Sequence, residues 1–123
     1  MKIRRIEEER IIFDDDSVLE SYHSQCCCEE HYLDFNMLKD YNISPKTGKP
    51  INIYECEFDF SKGVTFKRIV GMGILLLDVE GNAYLVNGYG YNNGYYSDEI
   101  TLVYRKDKEE HRYDVSECQV INE

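Results

Sequence analysis

Apolar residues in this chain recur mostly at every second position, in short runs separated by charged or glycine-bearing turns. Residues 2–8 set Ile3 and Ile6 among charges and predict an edge-like strand. Residues 11–13 predict a short apolar strand, the acidic run 14–17 a turn, and residues 18–23 a third strand of the same meander. In residues 51–58, Ile51 and Ile53 share one face while Tyr54, Cys56 and Phe58 share the other, which predicts a central strand. Residues 64–70 alternate less cleanly, with Lys67 and Arg68 adjacent. Residues 74–79 and 83–86 flank Glu80, Gly81 and Asn82, a hairpin signal. Residues 100–104 and 111–115 predict two more strands around the charged turn 106–110.

One segment breaks the two-residue rhythm. Between residues 29 and 41, Tyr32, Phe35, Leu38 and Tyr41 recur at threes and Leu33 and Met37 lie four apart, which predicts one main helix. Residues 42–50 hold both prolines and predict a surface loop. The expected fold is α+β: a mostly antiparallel sheet of six to eight strands with one helix, in a single domain over residues 1–123.

Charge narrows the function. The net charge of −10, from 24 acidic and 14 basic residues, argues against direct grip on nucleic-acid backbones, which needs a basic surface. A small anionic ligand needs only a local positive cluster. Scattered acids serve solubility; a sharper reading makes them the surface of an inhibitor that mimics nucleic acid. The chain has no apolar run near 18 residues, so no membrane helix is expected, and the opening MKIRRIEEER has no signal-like apolar core. The expected location is the cytoplasm. Five cysteines, three of them contiguous, fit a reducing compartment.

Candidate chemistry is sparse. His23, Cys26, Cys28 and His31 have zinc-ligand types, but all fall within nine consecutive residues, whereas structural zinc joins separated ligand pairs. Packing under the helix is the favoured reading, and no metal or cofactor is expected. Cys28 with His31 or His111 would make a nucleophile pair, but Glu29 and Glu30 beside the thiols oppose thiolate formation. No catalytic residue is assigned, and the chain is not read as an enzyme. Asp14, Asp15 and Asp16 lack the spacing of an EF-hand loop. The GMG and GYG segments lack the context of a dinucleotide fingerprint.

The densest feature is YGYNNGYY, residues 89–96. Tyrosine supplies a flat face with a polar tip, asparagine both donates and accepts, and glycine admits close backbone approach. The segment also suits a plain hairpin. Its tyrosine density favours binding, with Tyr91, Asn92, Asn93, Gly94, Tyr95 and Tyr96 as ligand-binding candidates.

Two segments carry a family resemblance. YHSQCCCEEHYLDF (residues 22–35) and YNNGYYSDEITLVY (residues 91–104) resemble hallmarks of small phage proteins similar to the first type of Thoeris anti-defence protein. The resemblance implies a β-rich homo-oligomeric sponge that sequesters a cyclic ADP-ribose-type signal, or a cyclic dinucleotide, without cleaving it. It sets Asn93, Gly94, Tyr95 and Tyr96 at the family's Asn-Gly-Tyr-Tyr turn beside the pocket, with Cys27, Cys28 and Glu29 structural. Arg105 and Arg112 follow that turn and are candidates to pair with phosphate; Lys67 and Arg68 are second choices. Ser97 and Asp98 depart from the small residues usual in the family. The expected function is capture of a small anionic cyclic nucleotide. The alternative is an acidic protein-binding inhibitor of a host nucleic-acid-binding defence enzyme.

Overall fold

The computed structural model describes residues 1–22, 30–69, 73–91, 101–115 and 119–122. Ten strands lie among them: β1 (Ile3–Ile6), β2 (Arg10–Phe13), β3 (Val18–Tyr22), β4 (Glu30–Leu33), β5 (Phe66–Ile69), β6 (Gly73–Leu77), β7 (Ala83–Tyr91), β8 (Thr101–Lys106), β9 (Glu109–Asp114) and β10 (Gln119–Asn122). The first sheet runs β1-β2-β3-β8-β9 and the second β10-β7-β6-β5, with β4 also paired to β7. Every pair is antiparallel except β10 with β7, which is parallel. The mostly antiparallel architecture and the opening meander agree with the sequence pattern.

Alternation along β2, β3, β6 and β7 builds much of the core. In the first sheet Ile11, Leu19 and Tyr104 form one cross-strand row and are buried, while their neighbours Arg10, Glu20 and Arg105 belong to the other face. In the second sheet Ile74, Leu76, Tyr84 and Val86 are buried, whereas Leu75, Leu77, Ala83 and Leu85 are half-buried. Both inner faces contribute to one hydrophobic cluster, joined by Phe58 and Phe60 from the irregular segment between them. Phe13 meets Phe60 edge-on at 5.6 Å between ring centroids, and Phe60 meets Tyr104 at 5.3 Å, the edge-to-face arrangement aromatic quadrupoles prefer.

Three expectations change. The helix over residues 29–41 is absent: residues 30–33 are strand β4, and Phe35–Asp40 is a 3-10 helix. The spacing of three was the period of that tighter helix, whose residues i and i+3 eclipse, so Phe35 and Leu38 are buried together. Asp34 caps it by accepting the Asn36 N–H at 3.1 Å. Among the described residues there is no α-helix. The central strand expected over residues 51–58 is instead a 3-10 turn, Ile53–Glu55, followed by a single bridge from Glu57 to Lys2. The Asn52 side chain accepts the Tyr54 N–H at 3.0 Å, a local bond that competes with ladder pairing. Strand number exceeds the expected six to eight because β4 and β10 were not anticipated.

The second glycine of the GMG segment, Gly73, has a structural reason. Its φ is +106°, and a Cβ there would lie 2.3 Å from the Val86 carbonyl oxygen, so only glycine lets β6 start against β7.

Candidate functional site

Strand register places the two described residues that bound the sequence-predicted turn. Tyr91 closes β7 and stands across from Glu30 of β4 on one side and Asn122 of β10 on the other. Thr101 opens β8 in the other sheet, between Tyr22 of β3 and Asp114 of β9. The tyrosine-rich segment begins as strand, since Tyr89, Gly90 and Tyr91 belong to β7. Asn92, Asn93, Gly94, Tyr95 and Tyr96 lie outside the described residues, as do His23 and Cys26, Cys27 and Cys28. His31 is in β4, opposite Gly90.

The two candidate arginines lie on the outer face of the first sheet. Arg105 is cross-strand to Glu110, and Arg112 is cross-strand to Val103. One carboxylate serves both: Arg105 Nε donates to Glu110 Oε1 at 2.9 Å and Arg112 Nε to Glu110 Oε2 at 2.8 Å. Arg105 also pairs with Glu20. The hydrogen bonds from Arg105 and Arg112 hold the Glu110 carboxyl below its ordinary range. Sequence reasoning missed Glu20 and Glu110, which the pairing of β3 and β9 with β8 brings to Arg105.

The arginines are not equivalent. Arg105 is four residues along β8 from Thr101, about 13 Å at the usual rise per strand residue. Arg112 lies beside Val103, two residues from Thr101, hence about 7 Å from the same end. Arg112 is therefore the one nearer the start of β8. Val103 is fully buried although it belongs to the face opposite the core residues Leu102 and Tyr104, so that face is covered beside Arg112. Of the second choices, Lys67 is paired in register with Leu75 and Arg68 with Ile74, on β5 at the edge of the other sheet.

Two further groups of charges have internal partners. Asp14 accepts the Lys2 N–H at 3.1 Å. Asp15 accepts the Ser17 N–H at 3.0 Å and faces Lys106 Nζ at 3.4 Å, and Asp16 pairs with Arg4 at 2.8 Å. A cavity of about 330 Å³ near the end of β3 is lined by Glu7, Glu8, Glu9, Arg10, Glu20 and Ser21. Four carboxylates against one guanidinium make it a poor seat for an anion. The more apolar cavities, about 320 and 570 Å³, share Phe60, Tyr104 and Lys106 and open beside the β8–β9 turn, at the opposite end of β8 from Thr101.

Comparison with protein-family models, curated proteins and solved structures finds no match to this chain. Among the described residues no helix is long and apolar enough to cross a membrane.

Proposed function

We propose that this chain is a binding protein of the sponge class, which captures a small anionic cyclic nucleotide and holds it intact. Cyclic ADP-ribose-type signals and cyclic dinucleotides are the ligands that suit it, with phage anti-defence in the host cytoplasm as its role and a homo-oligomer as its working form. The observation that supports this reading is the pair of strand ends that bound the tyrosine segment. Register sets Tyr91 across from Glu30 and Asn122, and sets Arg112 of β9 across from Val103, two residues past Thr101. Tyrosine faces stack on bases, amides read their edges, and a guanidinium pairs with phosphate, so each part of a nucleotide has a complementary group. The alternative is an acidic protein-binding inhibitor, for which Asp14, Asp15 and Asp16 offer exposed carboxylates even though they bond to Lys2, Ser17, Lys106 and Arg4.

The test is a thermal-shift panel of cyclic ADP-ribose isomers and cyclic dinucleotides, followed by recovery of the ligand from heated complex. Ligand at a hundred times its Kd adds about 2.7 kcal/mol to the native state, about 10 °C for a chain of this size. Calorimetry on two variants then locates the site. Arg112→Ala is expected to weaken binding by about tenfold to a hundredfold, the value of a charge-assisted hydrogen bond, and Arg105→Ala by much less. A flat panel overturns the sponge reading. A larger loss at Arg105 than at Arg112 overturns the placement of the phosphate.

A further inference from the structure

We propose that β9 is a self-pairing edge: a second copy of this chain adds its own β9 antiparallel and joins two five-stranded sheets into one. The proposal goes beyond nucleotide capture and needs no ligand.

Among the described residues β1, β4, β5, β9 and β10 each pair with a single strand. All but β9 are four residues long, and β1 and β10 also carry a register shift against their partners. Strand β9 has six residues in unbroken register with β8, from Glu109 opposite Lys106 to Asp114 opposite Thr101. A long, regular edge is a ready template for another strand. It is also held firm: Tyr113 packs edge-on against Phe66 at 5.4 Å, and its hydroxyl accepts the Val64 N–H at 3.1 Å.

The turn fixes which groups face outward. Asp107 and Lys108 form a two-residue loop closed by Lys106 and Glu109, and Asp107 takes the positive φ, 56°, that such loops need at their first position. The closing pair of a two-residue hairpin exchanges both backbone bonds, and hydrogen-bonded pairs alternate from there along the ladder. Glu109, His111 and Tyr113 therefore turn their backbone groups toward β8, and Glu110 and Arg112 turn theirs toward the outer edge.

Charge selects the occupant and its register. A two-fold axis at Glu110 or at Arg112 sets that charge against its own copy, and like charges directly opposite each other destabilise a strand pair. An axis at His111 sets Glu110 of each copy against Arg112 of the other, through the outward-facing backbone groups. Glu110 and Arg112 are both exposed, and each already bonds to the other within one chain. The axis thus joins Arg105, Glu110 and Arg112 of each copy into one run of alternating sign. His111, exposed on the other face, meets its own copy in a non-hydrogen-bonded pair.

The experiment is sedimentation velocity on nucleotide-free protein between ~10 μM and ~1 mM, a range suited to an interface smaller than the standard size. Wild type is expected to pass from monomer to dimer across it. Glu110→Arg and Arg112→Glu are each expected to weaken self-association at least about tenfold, because like charges then meet at both sites. Mixed in equal amounts, these two variants oppose guanidinium to carboxylate at each site and are expected to form a heterodimer, which also shows that both fold. His111→Cys, oxidised, is expected to give a dimer whose bridge maps to residue 111 in both copies. Residues facing across a non-hydrogen-bonded pair lie about 4.5 Å apart, within a disulfide's span. Wild type that stays monomeric, or dimers that neither charge change weakens, overturn the proposal. Variants that remain monomeric when mixed overturn the His111 register and the proposal with it. Nucleotide capture is untouched by any of these results, because the thermal-shift panel tests it separately.

Discussion

Replacing Asp78 is expected to be the most damaging single change in the β6–β7 hairpin, and its cost follows from the bonds it makes. Asp78 is 7% exposed and accepts four hydrogen bonds. Its Oδ1 takes the Glu80 N–H at 3.0 Å and the Asn82 N–H at 2.9 Å. Its Oδ2 takes Asn82 Nδ2 at 2.9 Å and the Tyr84 hydroxyl at 2.7 Å. Asn82, itself 3% exposed, passes the chain on by accepting the Ser44 hydroxyl at 2.5 Å, which pins the loop at residues 42–50 to the hairpin. Asp78→Asn keeps Oδ1 but puts an N–H2 group opposite the Asn82 amide. The Tyr84 hydroxyl can turn to accept from it, so one buried donor is orphaned, at about 1–3 kcal/mol. Asp78→Ala orphans two buried donors, Asn82 N–H and Asn82 Nδ2, while the Tyr84 hydroxyl keeps Cys56 Sγ at 3.3 Å; at about 1–3 kcal/mol each, a loss of about 2–6 kcal/mol is expected. That is a large part of the 5–15 kcal/mol typical of a domain. Urea unfolding at neutral pH reads both, with Tm falling by about 4 °C per kcal/mol. An Asn variant as unstable as the Ala variant, or an Ala variant within about 1 kcal/mol of wild type, refutes the donor-counting argument.

Two more outcomes rest on single groups. Burial pushes the Asp15 carboxyl up, but hydrogen bonds from Ser17 and Lys106 outweigh it and leave the pKa below its ordinary value. A lowered folded pKa stabilises the native state above the unfolded value near 3.9, and this contribution is lost as pH falls below it. Asp15→Asn is therefore expected to lower the urea midpoint at pH ~7 and to flatten its decline between pH ~4 and ~2; parallel declines in the two proteins would count against it. At Cys56, burial pushes the thiol pKa up and the Asp78, Glu80 and Glu55 carboxylates add to it, against a hydrogen bond from Tyr84. Peptide-resolved alkylation near pH 7.5 is expected to modify Cys56 at least about tenfold more slowly than free cysteine, since only thiolate reacts. Reaction at the free-thiol rate in native protein would show that these groups do not govern it.

What the sequence made legible is what short-range pattern encodes. Strands β2 and β3 and the hairpin of β6 and β7 follow from period-two alternation and from turn residues at their tips, while β1 buries Ile3 and Ile6 across a register shift. The helix was misread because a spacing of three suits two helix types, and the capping Asp34 with its short run settles on the tighter one. Strand β10 joins β7 in parallel, a pairing that needs no local turn signal and left none to read. The candidate site was visible only as tyrosine density. Its arrangement depends on pairings between residues 30–33, 89–91 and 119–122, which no local pattern announces.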